Sequence, residues 1–142
     1  MPLPRRYLSI QKALGALLAL TSLFPLPALL LALVLGEDTA AAFGQAMLVA
    51  AGLGAILWWP VRTVRYDLRL RDGFLIASGS WMLASMVATL PFVLGLPELP
   101  FTQAAFEAVS GLTTTGASVF TGLDGLPRSM LLYRQSLNFY GG

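Results

Sequence analysis

The chain has 142 residues, of which 56% are hydrophobic and only 11% are charged, whereas an ordinary soluble domain carries roughly 25% charged residues. Its 9 lysines and arginines against 7 aspartates and glutamates leave a net charge of +2, too small an excess to indicate nucleic-acid binding. The absence of cysteine and histidine excludes disulfides, thiolate or imidazole metal sites and histidine-based catalytic triads, so the composition indicates an integral membrane protein that is not an enzyme.

Charged residues divide the chain into three long uncharged stretches. These cover residues 13–35, 39–61 and 73–97 and are 23, 23 and 25 residues long. A helix needs about 20 apolar residues to cross the hydrocarbon core, so each stretch is predicted to span the membrane. The first exceeds the roughly 7–15 apolar residues of a signal peptide, and we interpret it as a retained span.

Basic and acidic residues lie on opposite sides of these spans. The basic residues are Arg5, Arg6 and Lys12 before the first span and Arg62, Arg65, Arg69 and Arg71 in the 62–72 loop, and the acidic residues are Glu37, Asp38 and Glu98 in the other connections. The positive-inside rule therefore places the N-terminus and the 62–72 loop in the cytoplasm. We interpret the four loop arginines as orientation signals, and docking of a cytoplasmic partner is the alternative.

The segment after the third span, residues 99–118, is apolar but too interrupted by Ser, Gly and Thr to cross the membrane. Thr102 is a good N-cap, which would let Phe101 and Phe106 form a hydrophobic staple. A helix over residues 103–112 would then be about 15 Å long, which is half a bilayer. Its C-terminal end would stop near the midplane, where its partial negative charge favours a cation.

The residues that follow this half-helix carry the oxygens that a dehydrated cation needs. A pore must replace the water shell of an ion with protein oxygens. An extended strand in the 113–117 region would present carbonyl groups, and Gly116 could take a positive φ without a Cβ penalty. We therefore predict a cation selectivity filter at Thr113, Thr114, Thr115 and Gly116.

Two ionisable residues fall inside predicted membrane segments. Glu107 lies in the half-helix and Arg134 in the last helix. Ionisable residues at such depths are functional candidates by default. Because Arg134 would repel a cation, we interpret the two as a charge pair that braces the half-helix rather than as ion ligands.

Five motifs follow one another in the second part of the chain. They are Arg-Asp-Gly-Phe-Leu-Ile at 71–76, Leu-Pro-Phe at 90–92, Phe-Glu-Ala-Val-Ser-Gly-Leu-Thr-Thr-Thr-Gly-Ala at 106–117, Gly-Leu-Asp-Gly-Leu-Pro at 122–127 and Tyr-Arg-Gln-Ser-Leu-Asn-Phe-Tyr-Gly-Gly at 133–142. In this order they make residues 72–142 resemble the first pore repeat of Trk-type potassium uptake subunits, within the superfamily of Trk, Ktr and HKT cation transporters. Residues 1–71, with Leu-Trp-Trp-Pro at 57–60, resemble the two-helix segment that precedes the pore in the Trk branch.

The resemblance implies an all-α polytopic membrane protein, with two leading transmembrane helices and then one helix–pore helix–filter–helix repeat. It implies potassium uptake across the bacterial cytoplasmic membrane without a bound cofactor. Thr114 and Thr115 would coordinate potassium, and Gly116 would be the filter glycine. The implied partners are the lipid bilayer, a second copy of the full subunit and a cytosolic nucleotide-binding regulatory subunit, but no nucleic acid.

One departure from the family pattern is large, since a full subunit of this family has four such repeats. The last helix, predicted over residues 129–142, would be about 21 Å long against a hydrocarbon core of about 30 Å. One filter strand does not surround an ion, so we expect this chain to be an N-terminal fragment of the transporter subunit. The alternative is a non-conducting membrane scaffold or interaction subunit that retains a filter-like sequence.

Overall fold

The computed structural model describes residues 5–64 and 69–142, and Arg65 of the basic loop lies outside these ranges. The described residues form six α-helices and two short 3-10 turns, Trp59–Val61 and Leu123–Gly125, with no β-strand among them. The helices are α1 Arg5–Thr21, α2 Leu26–Leu35, α3 Thr39–Trp58, α4 Leu70–Gly95, α5 Phe101–Leu112 and α6 Arg128–Gly141. The predicted all-α fold class is confirmed.

Three helical stretches are long and apolar enough to cross a membrane, as the sequence predicts. They are Arg6–Leu35, Thr39–Val61 and Leu70–Gly95. The second stretch loses its α-helical form at its end, because Pro60 has no backbone N–H to continue the ladder and a 3-10 turn takes over.

The first span consists of two helices joined by a turn at residues 22–25, which the uncharged run does not reveal. Pro25 at the N-cap of α2 lacks the N–H that a continuous helix would need, and Pro27 stands in the first turn, where proline is tolerated. The Ser22 hydroxyl donates to the Ala19 carbonyl at 2.6 Å and so satisfies an acceptor near the end of α1.

Helices α1 and α3 approach each other at two glycines. A Cβ added to Gly54 would lie 2.6 Å from the backbone nitrogen of Ala19, and one added to Gly15 would lie 2.7 Å from that of Trp58. Small residues allow such backbone-to-backbone approach in membrane helices. The two leading spans therefore pack tightly along their length.

The main buried cluster joins these leading spans to the rest of the chain around Tyr133 of α6. Its ring centroid lies 5.5 Å from that of Phe43 in α3 and 5.3 Å from that of Phe92 in α4. The buried Tyr133 hydroxyl donates to the Ala88 carbonyl at 2.9 Å, which satisfies the polar end of the side chain. Residues on both sides of the 62–72 loop thus share one core.

An ion pair closes the end of the molecule that holds the N-terminus. The Arg6 Nε lies 2.5 Å from Asp72 Oδ1, and the Asp72 side chain is fully buried. The second Asp72 oxygen accepts the backbone N–H of Arg69 at 3.0 Å, which caps the start of α4. The start of α1 and the start of α4 therefore lie at the same end of the bundle.

Candidate cation filter

Helix α5 begins two residues before the predicted position. Pro100, with φ −57° and ψ 142°, occupies the N-cap, and no side chain caps this helix. Thr102 lies inside the first turn and is exposed, so the predicted Thr102 N-cap is wrong. The reason is that Pro100 ends the preceding turn in an extended conformation, and a helix can begin directly behind it. With Phe101 already helical and both Phe101 and Phe106 exposed, the staple does not form.

The end of α5 is a hydrogen-bonded turn and not the extended strand predicted from the sequence. The Thr114 N–H donates to the Gly111 carbonyl and the Thr115 N–H donates to the Ser110 carbonyl, each at 2.9 Å. These two bonds make a Schellman motif, in which the residue after the C-cap is left-handed. A straight strand would leave these carbonyls without donors, which is costly in a membrane.

Two residues of this turn have a positive φ, Thr114 at 55° and Gly116 at 71°. The glycine takes this conformation freely because it has no Cβ, and no heavy atom lies within 4 Å of a Cβ built there. A β-branched residue such as Thr114 rarely adopts it. The sequence motif drew attention to Gly116 but not to the strained threonine two residues earlier.

The carbonyl groups of the turn do not form one row of four. The Gly116 carbonyl accepts from the Arg134 guanidinium at 3.4 Å, and the Thr113 carbonyl accepts from the Thr114 hydroxyl at 2.7 Å. Within residues 5–64 and 69–142, no protein donor reaches the carbonyls of Thr114 and Thr115. These exposed residues therefore offer the backbone oxygens that remain open to a cation.

The threonine hydroxyls are tied to the helix end and to each other. The Thr113 hydroxyl donates to the Val109 carbonyl at 2.8 Å, and it lies 2.8 Å from the Thr115 hydroxyl. Bonded in this way, the side chains hold the turn in place. The backbone remains the main source of ligands.

Glu107 and Arg134 form an ion pair behind the turn. The Arg134 Nε lies 2.8 Å from Glu107 Oε2, and the side chains are 10% and 1% exposed respectively. The other carboxylate oxygen accepts the Ser118 hydroxyl at 2.6 Å and the Val119 N–H at 2.7 Å. Each oxygen thus has donors, as a buried carboxylate requires. Glu107 connects α5, the loop after the turn and α6.

Helix α6 rests against the carbonyl end of α5. A Cβ built on Gly141 would lie 1.9 Å from the Leu112 carbonyl oxygen, and one built on Gly111 would lie 2.8 Å from the Leu137 Cβ. Only glycine permits this approach of the two helices. The last turns of α6 therefore have little room to move towards the filter turn.

Glu37, at the opposite end from the Arg6 ion pair, is a residue that sequence reasoning missed. From the turn between α2 and α3 its carboxylate accepts the N–H of Arg128 at 2.9 Å and that of Ser129 at 3.1 Å, and also the Ser129 hydroxyl. Although burial by itself raises the pKa of Glu37, these hydrogen bonds from Ser129 and Arg128 hold the pKa below its usual value. The one available signal was Pro127, which precedes α6 and has no capping side chain.

Comparisons with known proteins assign relatives to nearly the whole chain. A family model described as TrkH, cation transport protein, matches residues 39–142. The Trk system potassium uptake protein TrkH of Halomonas elongata is 44% identical over 134 residues, which are 94% of this chain and 28% of that protein. TrkH of Escherichia coli K12 is 45% identical over 114 residues, which are 80% of this chain and 24% of that protein.

A solved structure matches as well. The crystal structure of the potassium transporter TrkH from Vibrio parahaemolyticus superposes with a TM-score of 0.89 at 40% sequence identity. The match covers 95% of this chain and 29% of the other chain. This chain therefore spans less than a third of the length of the relatives it matches.

Proposed function

The chain belongs to the TrkH family of cation transport proteins, and from this premise we propose that it forms one wall of a potassium uptake pore. The observation that carries the proposal is the end of α5, where the helix stops in an exposed turn of threonines. There the carbonyls of Thr114 and Thr115 have no donor among the described residues. The family contributes the identity of the ion, since the relatives are named potassium uptake proteins.

The charges around the turn favour a cation there. The C-terminal end of a helix carries a partial negative charge, and α5 directs that end at the turn. The nearby positive charge of Arg134 is balanced by Glu107 at 2.8 Å, so the guanidinium does not dominate the local field. The described residues contain no cluster of three acidic, histidine or cysteine side chains, so the ligands proposed here are backbone and hydroxyl oxygens.

One turn supplies ligands from one side only, so the pore must be completed by other units. We propose that they come from the part of the transporter that lies beyond the 28% of the relatives' length matched by this chain. By resemblance alone, we further propose that the complete subunit pairs with a second copy and with a cytosolic nucleotide-binding regulatory subunit. The exposed residues Arg62, Arg69 and Arg71 offer a basic surface at the cytoplasmic end for such a partner.

A chimera tests the function, namely the Escherichia coli relative with its matching segment replaced by this chain. In cells without other potassium uptake systems, the chimera is expected to restore growth at low potassium and to take up rubidium, because the filter turn would complete the pore. The matched control is the same relative without the replaced segment. A chimera that reaches the membrane in normal amounts and still takes up no rubidium would favour the non-conducting scaffold.

The protein is a multi-pass membrane protein, and we propose that it lies in the bacterial cytoplasmic membrane with its N-terminus inside. The charge pattern supports this orientation, and so does the grouping of the helix ends. Arg6 meets Asp72 at one end, whereas Glu37 meets the start of α6 at the other. The basic segments and the acidic turn thus occupy opposite ends of the bundle.

Cysteine labelling tests this orientation, and the absence of native cysteine makes the result easy to interpret. Thr63→Cys and Asp38→Cys place single thiols at exposed positions near the two ends. With an impermeant maleimide, we expect Asp38→Cys to react in intact cells and Thr63→Cys to react only in inverted vesicles. The reverse pattern would show that the N-terminus lies outside.

A further inference from the structure

We propose that Glu37 is a positioning residue for the filter, which anchors the outer end of α6 and thereby holds Arg134 against Glu107 and Gly116. The proposal rests on the filter function above. It assigns a role to the turn between α2 and α3, which contributes no residue to the filter itself.

The first observation is that α6 has no N-terminal cap of its own. The first N–H groups of a helix have no partner within the helix, and Pro127 at the N-cap provides no side-chain acceptor. Glu37, 91 residues before Arg128, accepts the N–H groups of Arg128 and Ser129, one on each carboxylate oxygen. Its negative charge also suits the positive end of the helix dipole. A distant carboxylate therefore replaces the local cap.

The second observation is that this junction is buried and has more than one link. The hydroxyls of Thr39, at the start of α3, and Ser129, at the start of α6, lie 2.7 Å apart. Their residues are only 5% and 0% exposed. Hydrogen bonds shielded from water hold geometry better than exposed ones. The start of α6 is thus fixed to the leading helices at its outer end.

The third observation connects this junction to the filter turn. Arg134 follows Ser129 by five residues, which is about 7.5 Å along a helix. A helix moves as a stiff element, so a displaced N-terminal end carries Arg134 with it. The Arg134 bond to the Gly116 carbonyl is already long at 3.4 Å, and a shift of about 0.5 Å would break it. Small movements at Glu37 should therefore reach the filter backbone.

The test is the Glu37→Ala variant of the chimera, measured by rubidium uptake in competition with potassium and with sodium. We expect the preference for potassium over sodium to fall about twofold to thirtyfold while uptake continues, which is the range for residues that act through a packed network. Glu37→Gln keeps one acceptor oxygen but not the charge, and it should fall between the variant and the parent. Asp38→Ala, an exposed neighbour that makes no capping bond, is the matched control and should keep the parent preference.

A reversible cross-link separates positioning from general destabilisation. Thr39→Cys together with Ser129→Cys replaces two hydroxyl oxygens 2.7 Å apart by sulfurs, close to the disulfide bond length of about 2.05 Å. In the Glu37→Ala background, oxidation with copper phenanthroline should restore the potassium preference and reduction should remove it again. This comparison also applies if Glu37→Ala alone reaches the membrane poorly.

Two results would overturn the proposal: an unchanged preference in Glu37→Ala, or a cross-link that forms without restoring the preference. In either case the parent chimera still takes up rubidium, and the proposed filter function stands. Loss of uptake in the parent itself would instead remove the proposed function, so the two failures are distinguishable.

Discussion

Glu107→Gln in the chimera is expected to abolish rubidium uptake and to lower the amount of folded protein in the membrane. The substitution leaves the Arg134 guanidinium, in a side chain only 10% exposed, without its carboxylate partner. Removing one member of a buried ion pair costs about 3–5 kcal/mol, because the remaining charge stays desolvated. Uptake, membrane levels and the unfolding temperature in detergent measure the effect.

The control for Glu107 is Glu98→Gln, an exposed acidic residue in the turn before α5. Its effect should remain within about 0.5 kcal/mol, as for most surface substitutions. The double variant Glu107→Met with Arg134→Met replaces the pair by apolar groups and should regain membrane levels, since such replacements are often neutral. It should not regain potassium preference, because Ser118 and Val119 lose their acceptor. Normal uptake by Glu107→Gln would show that the pair is dispensable.

Gly116→Ser in the chimera is expected to lower the preference for potassium over sodium more than it lowers the rate of uptake. A residue with a Cβ at a φ of 71° loses roughly 1–2 kcal/mol. Since no atom lies within 4 Å of the added Cβ, the turn can relax by rotating its backbone, which redirects the neighbouring Thr115 carbonyl. A change of this size corresponds to about fivefold to thirtyfold in preference. Competition between potassium and sodium for rubidium uptake measures it.

A matched glycine shows whether the effect belongs to the filter. Gly125 lies in the loop beyond the turn, also has open space around a built Cβ, and is not among the positive-φ residues. Gly125→Ser should therefore leave both preference and rate unchanged. Equal preferences in Gly116→Ser and the parent, with normal membrane levels, would remove Gly116 from the filter.

The spans were predictable because hydrophobicity and charge act along a continuous stretch of chain. Uncharged runs of 23 residues or more correspond to the three helical stretches that can cross a membrane. The break at Pro25 was not read from the same runs, because a single missing N–H hardly changes the hydrophobicity of a window. The start of α5 was misplaced for a similar reason, since Pro100 competes with Thr102 for the N-cap.

The candidate site was predictable in its residues but not in its conformation. The threonines and Gly116 were identified by their types and by the preceding half-helix, and their role as ligands remains a prediction. Their backbone depends on which donors satisfy the last carbonyls of α5, and several arrangements of the same residues could do so. Contacts such as that of Glu37 with Ser129 join residues 92 apart, and no local pattern in the sequence records them.

The left-handed Thr114 has a consequence for the filter between two ions. A glycine at this position would end the helix at lower cost, because helices that stop in a Schellman motif favour glycine there. Glycine would also bring freedom, whereas the branched side chain of threonine restricts the backbone to few conformations. The chain thus forgoes some stability for rigidity. When an ion leaves, a turn built with threonine keeps its oxygens in place for the next ion instead of collapsing around the empty site.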